Sequence, residues 1–592
     1  MRCYYHILLM VVMCAGMMSG CQSGERMGLN GEKVYTKGVV AADHQLGSEA
    51  GALMLRMGGN AVDGAVAASF CQGVVRPYSC GLGGGGFMVI RMAGKGVGVA
   101  EDDGGGIVLN YRETAPGMVG PSYYVDLGVD EASRYGAHAS GVPGSVAGLL
   151  RALRTYGTLD RGTVLGPAIR AAEEGFVADE HYVDAANSVL KLLEERPDIR
   201  ERIGEDSYRY LMEVFLNNGE PRVGMVVRQP RLGKTLRLIA KYGESVFYSG
   251  EIAEAIARRS KTIGLSDLER YRCAEGRALV GKGFGYTFLM MPPPSSGGVA
   301  MQEMVGITER KWDVVSHESP FDPGYDHLLV EAMKHAFADR AEWLADDRFN
   351  DVPVKRLMSD EYLDELAAKF DPDTTLPLSE YGSRRSDDND NEKEIIEDHG
   401  TSHLSVVDRW GNAVACTETI NLEFGSLTVV PEYGIVMNDE MDDFLTKPGE
   451  ANAFGLTQSE RNLPAGGKWP LSSMSPTIVL DGDGEVVAVA GASGGPRIIT
   501  GTTQVLLNGL VFGMNAVDAV GTARLHHQWR PDFVYLEEGW SDEASEKALE
   551  IKGHKIRRRK AVGNVQLILR SKDGKGYEAA SDPRKGGVPA GE

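Results

Sequence analysis

The stretch DHGTSHLS at residues 398–405 holds the side chain whose chemistry is most specific in this sequence. Thr401 directly follows Gly400 and opens a segment with the composition of a strand. A threonine hydroxyl is a poor nucleophile without a base, but the α-amino group of the same residue can be that base if the residue begins a chain. Cleavage of the bond between Gly400 and Thr401 would create that chain start. The pair therefore predicts a self-cleaving threonine nucleophile.

A second hydroxyl is expected beside the first. The turn signal DRWGN (408–412) predicts a hairpin that joins the strand after Thr401 to a second strand. The favoured register places Thr401 opposite Thr419, with Cβ atoms about 4.5–5.5 Å apart; a slip by two residues would place Thr417 or Asn421 there. In either register these three side chains share one face of their strand. A polar row on a buried strand indicates a site, whereas a solvated edge is the alternative.

Another motif points to a different class of enzyme. Residues 491–495 read GASGG, a G-x-S-x-G pattern between a predicted strand and a predicted helix, which is typical of the nucleophile elbow of serine hydrolases. Ser493 would be the nucleophile, with His526, His527 or His554 as its base. This alternative leaves the GTS stretch and two further motifs, RETAP (112–116) and NDEMDDF (438–444), without a role.

Composition limits the partners and the class of protein. The 592 residues include 62 Lys and Arg against 83 Asp and Glu, a formal charge of -21. Such a surface repels phosphate backbones, so nucleic acid is not expected as a partner. The hydrophobic fraction of 43% is ordinary for a globular protein.

The N-terminus reads as an export signal. Residues 1–20 carry Arg2 and then an apolar run too short to span a bilayer. The run ends in MSGC, which resembles the lipobox of bacterial lipoproteins and would make Cys21 a lipidated mature N-terminus; a plain secretory signal is the alternative. We therefore expect export to the periplasm or cell envelope. Among the remaining cysteines, Cys71 and Cys80 allow either a disulfide or two buried thiols, and the spacing matches no zinc site.

Several stretches predict the supporting elements. Small and apolar residues at 47–75 predict tightly packed helices, and the glycines at 81–86 favour close backbone packing over phosphate binding. The spacing at 324–344 predicts a helix with one buried face. His327 and His335 on this helix are expected at its surface or cap, not as metal ligands.

The second half of the chain predicts sheets covered by helices. Strand patterns occur at 404–407, 413–421, 477–480 and 486–491, and helical patterns flank them. The segment 379–399 is acidic and poor in apolar residues, so we expect a flexible break just before Thr401. The basic run 557–560 is expected at a solvated strand edge.

Taken together, the motifs resemble the gamma-glutamyltranspeptidase family of N-terminal nucleophile hydrolases over nearly the whole mature chain. The resemblance rests on RETAP (112–116), MPPPSSGG (291–298), EAMKHAFADR (331–340), GTSHLSVVDRWGNAVACTETIN (400–421), NDEMDDF (438–444), PLSSMSPTI (470–478), GASGGPRI (491–498), HHQWRPD (526–532) and ASDPRKGG (580–587). It implies an α+β fold, a four-layer αββα sandwich in which a large fragment, 21–400, and a small catalytic fragment, 401–592, are intertwined.

The resemblance also implies a role for each matched residue. Thr401 would be nucleophile and, through its freed amine, general base, with Thr419 orienting it. The α-carboxylate of a γ-glutamyl donor would be held by three residues: Arg112, Ser472 and Ser473. Its α-ammonium would be held by three others: Asn421, Glu440 and Asp443. The backbone N–H groups of Gly494 and Gly495 would bind the oxyanion.

The implied activity is that of a γ-glutamyltransferase and glutathione hydrolase. Donors such as glutathione would form an ester on Thr401, resolved by water or by an amino-acid or peptide acceptor, with no metal or organic cofactor implied. A related acylase, or a γ-glutamyl hydrolase with little transpeptidation, stays open because Phe454 stands where the family often has a lid tyrosine. A non-catalytic surface lipoprotein is the further alternative.

Overall fold

The structure is a computed structural model that describes residues 33–94, 105–383, 400–540 and 542–592. The predicted export signal at 1–20, the lipobox cysteine Cys21 and the larger part of the acidic segment, 384–399, lie outside the described residues.

Two antiparallel sheets form the centre of the molecule. The first has seven strands, in the order β20 (Ala590–Gly591), β1 (Gly38–Ala42), β9 (Thr401–Asp408), β10 (Ala413–Thr419), β2 (Gly85–Arg91), β3 (Gly106–Asn110) and β6 (Ala274–Arg277). The second has six strands, in the order β19 (Tyr577–Ser581), β18 (Asn564–Arg570), β14 (Val486–Ser493), β13 (Thr477–Leu480), β8 (Tyr286–Met290) and β7 (Leu279–Gly283).

Three small sheets lie at the periphery. Their strands are β4 (Phe176–Val177) with β5 (Val226–Val227), β11 (Val429–Val430) with β12 (Ile435–Val436), and β15 (Leu525–His526) with β16 (Val534–Glu537) and β17 (Ile556–Arg559). β17 is the outer strand of its sheet, and its two central arginines are exposed. The predicted solvated edge at 557–560 is therefore confirmed.

Helices cover both outer faces of the paired sheets. Those of nine residues or more are Gln45–Arg56, Ala61–Val75, Ser145–Tyr156, Arg161–Glu174, Glu180–Glu195, Pro230–Tyr242, Glu251–Arg259, Gly297–Lys311, Pro323–Trp343, Asp360–Ala368, Arg497–Leu510 and Glu543–Ile551. Shorter ones are Tyr123–Leu127, Pro197–Ile203, Glu205–Tyr210, Ser245–Tyr248, Leu265–Arg270, Val354–Leu357 and Ala516–Gly521. Within the described residues, none is both long and apolar enough to cross a bilayer.

The cores show the layer order helix, sheet, sheet, helix. One core joins the helices Gln45–Arg56 and Ala61–Val75 to the outer face of the first sheet. The other fills the space between the sheets and extends to the helices Pro323–Trp343 and Arg497–Leu510. This four-layer α+β arrangement confirms the expected fold, because a sheet with two apolar faces must be covered on both.

Strands from both sides of Gly400 share each sheet. In the first sheet β9, β10 and β20 follow this residue and the other four precede it; in the second sheet β7 and β8 precede it and the other four follow it. The intertwined arrangement is thus present, and cutting the chain at this point would leave both sheets paired by their ladder hydrogen bonds.

The helix Pro323–Trp343 differs from its prediction. Residues 325–341 are all buried, not one face only, because the helix lies between the helices Gly297–Lys311 and Glu543–Ile551 and also meets β15. The expectation that His327 and His335 lie at the surface is therefore wrong. His327 hydrogen-bonds to His554 at 2.8 Å, and His335 accepts from the backbone N–H of Gly382 at 3.0 Å.

Two other local expectations are decided by packing. Cys71 and Cys80 are separate, buried thiols and form no disulfide. The acidic segment is anchored where it begins: Tyr381 is buried and its hydroxyl donates to Glu331 Oε2 at 2.6 Å. Residues 379–383 are thus held by the protein, and the rest of the predicted flexible segment lies outside the described residues.

A glycine on β14 allows the two sheets to approach at His403. A Cβ on Gly491 would lie 2.3 Å from His403 Cε1. We expect Gly491→Ala to destabilise the protein by about 1–3 kcal/mol, because the ring is buried and overpacking forces it to move. The midpoint of denaturant unfolding measures this. Gly482→Ala is the matched control, since a Cβ there meets nothing within 4 Å; equal midpoints for the two variants would contradict this explanation.

Candidate active site

The hairpin of β9 and β10 has the predicted register. Val407 pairs with Ala413, and Thr401 lies opposite Thr419. The two threonine side chains are buried, and their Oγ1 atoms are 3.0 Å apart. The predicted hydrogen bond between hydroxyls is therefore confirmed, and the first residue of β9 has a partner that can orient its oxygen.

The carbonyl before Thr401 is held by two donors. The Thr419 hydroxyl donates to Gly400 O at 2.8 Å, and the backbone N–H of Ile420 donates to the same oxygen at 3.3 Å. Two donors on one carbonyl oxygen stabilise negative charge that develops there during attack on the carbonyl carbon. The bond that the sequence predicts to be cut is thus the one whose oxygen is prepared for a tetrahedral intermediate.

The polar row behind the nucleophile is buried between the sheets. His403 Nδ1 lies 2.8 Å from Thr417 Oγ1, and its Nε2 lies 3.1 Å from Ser405 Oγ. Burial lowers the pKa of His403 to about 3, so the ring is neutral. This row is an interior feature that fixes the hairpin, not a solvated edge.

The glycines at 81–86 pack backbone against backbone beside Thr419. A Cβ on Gly84 would lie 2.1 Å from Thr419 O, and one on Gly85 would lie 2.5 Å from Tyr111 O. Only glycine allows this approach. The predicted packing role is confirmed, and it places Gly84 directly against Thr419, the cross-strand partner of Thr401.

Asn421 connects the hairpin to the acidic stretch NDEMDDF. Its backbone N–H donates to Thr419 Oγ1 at 2.9 Å, and its side-chain Nδ2 donates to Asp439 O at 3.2 Å. Glu440–Asp443 forms a turn of 3₁₀-helix directly after Asp439. The residues predicted to bind the α-ammonium are therefore connected to Thr401 through Thr419, Asn421 and Asp439.

Arg112 lies among carboxylates at this turn. Its Nη1 pairs with Glu440 Oε1, and its Nη2 pairs with Asp443 Oδ2 at 2.5 Å. The predicted carboxylate-binding and ammonium-binding residues thus satisfy one another in this structure. A zwitterionic ligand could replace these ion pairs. Its ammonium would pair with Glu440 and Asp443 and its carboxylate with Arg112, so the buried charges would stay compensated.

Glu113 is a further acid that the sequence analysis did not assign. It is fully buried, both of its carboxylate oxygens lack a hydrogen-bond partner, and its Oε2 lies 3.8 Å from Arg112 Nη1. Burial raises its pKa to about 7, and burial also raises the pKa of Glu440 well above its usual range. Its position in RETAP, next to Arg112, was the signal available in the sequence.

The serine pair lies against the proline-rich turn. Ser472 donates its backbone N–H to Pro294 O at 2.9 Å, and Ser472 O accepts from the backbone N–H of Ser296 at 2.8 Å. The carbonyl oxygens of Pro470 and Leu471 accept from the Arg112 guanidinium at 3.4 and 3.5 Å. The stretch PLSSMS therefore places the two serines next to Arg112, the residue predicted to bind the α-carboxylate.

Gly494 and Gly495 form the junction between β14 and the helix Arg497–Leu510. Both have positive φ, 130° and 56°, a region that favours glycine. Lys585 connects this junction to the nucleophile: its Nζ contacts Thr401 O and lies 3.2 Å from Ser493 Oγ. Lys585 was not predicted as a site residue, although it belongs to the quoted motif ASDPRKGG. The oxyanion role of the two glycines stays a prediction.

The three histidines considered as bases for Ser493 do not contact it. Ser493 Oγ contacts Asn564 Nδ2 at 3.3 Å and Lys585 Nζ, while His526, His527 and His554 bind other groups: Thr500 and Gln528, Trp529 and Asp532, and His327 respectively. Ser493 also has no positive φ of the kind that strains a nucleophile elbow. The motif is a glycine-rich turn.

A cluster of possible metal ligands involves the helix Pro323–Trp343. His327, Glu331 and His554 place ligand atoms within 4.8 Å of one another. Lys334 Nζ, however, lies 3.3 Å from both Glu331 Oε1 and His554 Nδ1. The lysine ammonium already supplies positive charge there, so the cluster does not fit a cation. Its hydrogen bonds instead connect the helix Pro323–Trp343 to His554.

The segment after NDEMDDF covers the acidic turn. Asn452 Nδ2 donates to Asp443 Oδ1 at 3.3 Å, and the backbone N–H of Ala453 donates to Asp442 Oδ2 at 2.9 Å. Phe454 is buried, and its carbonyl accepts from Gln528 Nε2 at 3.1 Å. The phenylalanine thus packs into the interior as an apolar group beside the covered turn.

Gly400 is required by its surroundings. A Cβ on it would lie 2.0 Å from Asn421 O, an atom of rigid backbone. We expect Gly400→Ala to slow self-cleavage by at least about tenfold, because a shift of the scissile carbonyl by about 1 Å costs geometry that the attack needs. Gel electrophoresis of purified protein over time measures the precursor fraction. Gly482→Ala should process like the unmodified chain; unchanged processing of Gly400→Ala would contradict the packing argument.

Comparisons with known proteins identify the family of this chain. The profile described as Gamma-glutamyltranspeptidase matches residues 47–592. Proteins named glutathione hydrolase proenzyme from Escherichia coli (strain K12) and Pseudomonas aeruginosa are 36% and 37% identical over 562 residues, covering 93% of this chain in each case and 90% and 94% of those proteins. A cephalosporin acylase from Bacillus halodurans has a TM-score of 0.81 at 25% identity, covering 97% of this chain and 99% of that chain. A gamma-glutamyltranspeptidase from Pseudomonas nitroreducens has a TM-score of 0.50 at 32% identity over 58% of this chain and 97% of that chain. The chain therefore belongs to the gamma-glutamyltranspeptidase family.

Proposed function

We propose that this protein is a self-processed γ-glutamyltransferase and glutathione hydrolase. It cleaves γ-glutamyl amides through an ester on Thr401 and passes the γ-glutamyl group to water, amino acids or peptides. The observation that carries the proposal is the contact of Thr419 with both Thr401 Oγ1, at 3.0 Å, and the carbonyl of Gly400, at 2.8 Å. The first contact orients the nucleophilic oxygen, and the second holds the carbonyl that this oxygen attacks during self-cleavage.

Self-cleavage begins with an acyl shift. Thr401 Oγ1 attacks the carbonyl carbon of Gly400, and the negative oxygen is held by Thr419 and by the backbone N–H of Ile420. The C–N bond breaks, the nitrogen takes the hydroxyl proton, and an ester to Oγ1 remains. Water then hydrolyses the ester, leaving a carboxylate on Gly400 and a free α-amine on Thr401.

Turnover repeats this chemistry on a substrate. The α-amine of Thr401 takes the proton of its own hydroxyl, and Oγ1 attacks the δ-carbon of the γ-glutamyl amide. Gly494 and Gly495 would stabilise the oxyanion, and the leaving amine departs with the proton held by the α-amine. Water or an acceptor amine resolves the ester, and each step uses groups of the chain and the substrate.

Donor recognition depends on the charges around Arg112. Its ion pairs with Glu440 and Asp443 form a site with both signs of charge, which suits the α-carboxylate and α-ammonium of a γ-glutamyl group. Ser472 and Ser473 complete the carboxylate side. A glutathione-type donor carries both charged groups on the same carbon.

Compartment and assembly are part of the proposal. The export signal and MSGC motif support a mature protein anchored by lipid at Cys21 in the cell envelope or periplasm. The relatives named proenzymes support one precursor that yields large and small subunits.

A second candidate follows from the structural likeness to a cephalosporin acylase. An acylase that prefers acyl groups without an α-ammonium has no use for buried Glu440 and Asp443. Comparing hydrolysis of a γ-glutamyl anilide with that of an acylated cephalosporin decides between the two. Higher kcat/KM for the cephalosporin would support the acylase.

Processing and activity are tested together by Thr401→Ala. The unmodified protein should give fragments 21–400 and 401–592, of about 41 and about 21 kDa at the mean residue mass of the chain. N-terminal sequencing of the smaller fragment should begin at threonine. The variant should remain one chain and lose γ-glutamyl anilide hydrolysis by more than about a thousandfold.

Ser493→Ala provides the comparison. It should still process and should lose less than about tenfold in kcat, because Ser493 contacts Lys585 but not the reacting atoms. Full loss of turnover in this variant, or full turnover by an uncleaved single chain, would contradict the threonine mechanism.

A further inference from the structure

Arg340 is a buried guanidinium that forms no direct ion pair in the described part of the chain. Its side chain is 2% exposed. Its Nη1 has no hydrogen-bond partner. Burial lowers the pKa of Arg340 to about 10, although the charge of Asp443 acts in the opposite direction. A buried, uncompensated charge is costly and calls for an anion.

The contacts of Arg340 indicate that an anion would bind beside the serine pair, Ser472 and Ser473. Arg340 Nε donates to Ser296 Oγ at 3.1 Å, and its Nη2 donates to Ser473 Oγ at 3.4 Å. Ser296 is the N-cap of the 15-residue helix Gly297–Lys311. The positive end of that helix and the guanidinium therefore act on the same small volume beside Ser472 and Ser473.

The direction of the hydrogen bonds leaves one proton available. A guanidinium only donates, so Ser296 and Ser473 both accept from Arg340. The hydroxyl of Ser296 donates a hydrogen bond to Ser472 O at 2.7 Å. Among the described residues, the hydroxyl of Ser473 donates to no group of the protein. The Ser473 hydroxyl is therefore available to donate a hydrogen bond to an anion bound beside it.

Arg112 cannot supply the missing charge alone. Its two terminal nitrogens already face Glu440 and Asp443, and Glu113 adds a third acid at 3.8 Å. Three acids outnumber this one arginine. A carboxylate bound at this place would therefore need a second positive charge, and Arg340, which contacts Ser473, can supply it.

Resting on the proposed function, we propose that Arg340 is a positioning residue that makes the site selective for donors with an α-carboxylate. It holds Ser473 Oγ as an acceptor, so that the Ser473 hydroxyl donates to the carboxylate, and it compensates the carboxylate's charge. The carboxylate in turn compensates the charge of Arg340, which explains why an unpaired guanidinium is buried here.

Three anilide donors separate this role from a structural one. γ-Glutamyl anilide carries both charged groups, glutaryl anilide keeps a carboxylate without the ammonium, and 4-aminobutanoyl anilide keeps the ammonium without the carboxylate. Arg340→Gln should raise KM at least about tenfold for the first two and less than about twofold for the third. Values of kcat should change little by comparison.

Conservative and distant variants complete the design. Arg340→Lys should recover part of the selectivity, because it restores the charge but not the planar fork. Ser473→Ala should show the same pattern across the three donors, and the double variant should add little to either single change. Arg310→Gln is the control: its guanidinium pairs with Asp360 and Asp364 away from the site, so it should alter no donor selectively.

The outcomes are distinct from those of the proposed function. An equal loss on all three donors, or no change in KM, would overturn the role of Arg340. If the unmodified protein hydrolyses no γ-glutamyl donor, the proposed function fails. Calorimetric titration with L-glutamate and with 4-aminobutanoate then still tests the role of Arg340. Tighter binding of L-glutamate that Arg340→Gln abolishes supports the inference, and equal affinities of the unmodified protein for the two compounds contradict it.

Discussion

The register of β9 against β10 is the constraint on which the site depends. With Thr401 opposite Thr419, one hydroxyl contacts both the nucleophilic oxygen and the carbonyl before it. A slip by one residue would turn every side chain of the hairpin to the opposite face. The register is held at its turn by Asp408, which binds Asn412 at 2.7 Å, and on the inner face by His403. Chemistry at Thr401 thus rests on strand pairing.

A second requirement is charge balance in a buried place. Arg112, Arg340, Glu113, Glu440 and Asp443 are all largely withdrawn from water, and such charges are tolerated only when they are paired or await a partner. Burial is the main cause of the raised pKa of Glu113, about 7, and the charge of Asp443 adds to it. In the proposed function, an amino-acid head group with one positive and one negative charge would relieve the imbalance on both sides. Burial strengthens these charge interactions, and the turn Glu440–Asp443 holds two of the acids in place.

The helix Pro323–Trp343 shows where reading the chain falls short. Its apolar spacing predicts one buried face, yet its polar residues are buried as well, among them His327, Lys334 and Arg340. Periodicity records which side chains avoid water, but not which polar side chains find partners inside. Those partners come from segments far along the chain, such as Ser473 and His554. No local pattern contains them.

The sequence by itself predicted Thr401 as the nucleophile, and it determined the partner of this residue across the hairpin, the presence of both strands and the family to which the chain belongs. These follow from short-range rules: alternation, turn chemistry and motifs in one order. Tertiary structure alone decided that Arg112 faces two acids, that Glu113 is left with unbonded oxygens, that Lys585 reaches Thr401 O and that Cys71 and Cys80 stay apart. The physical reason is that burial, and with it the strength of each charge and hydrogen bond, is set by which distant segments exclude water.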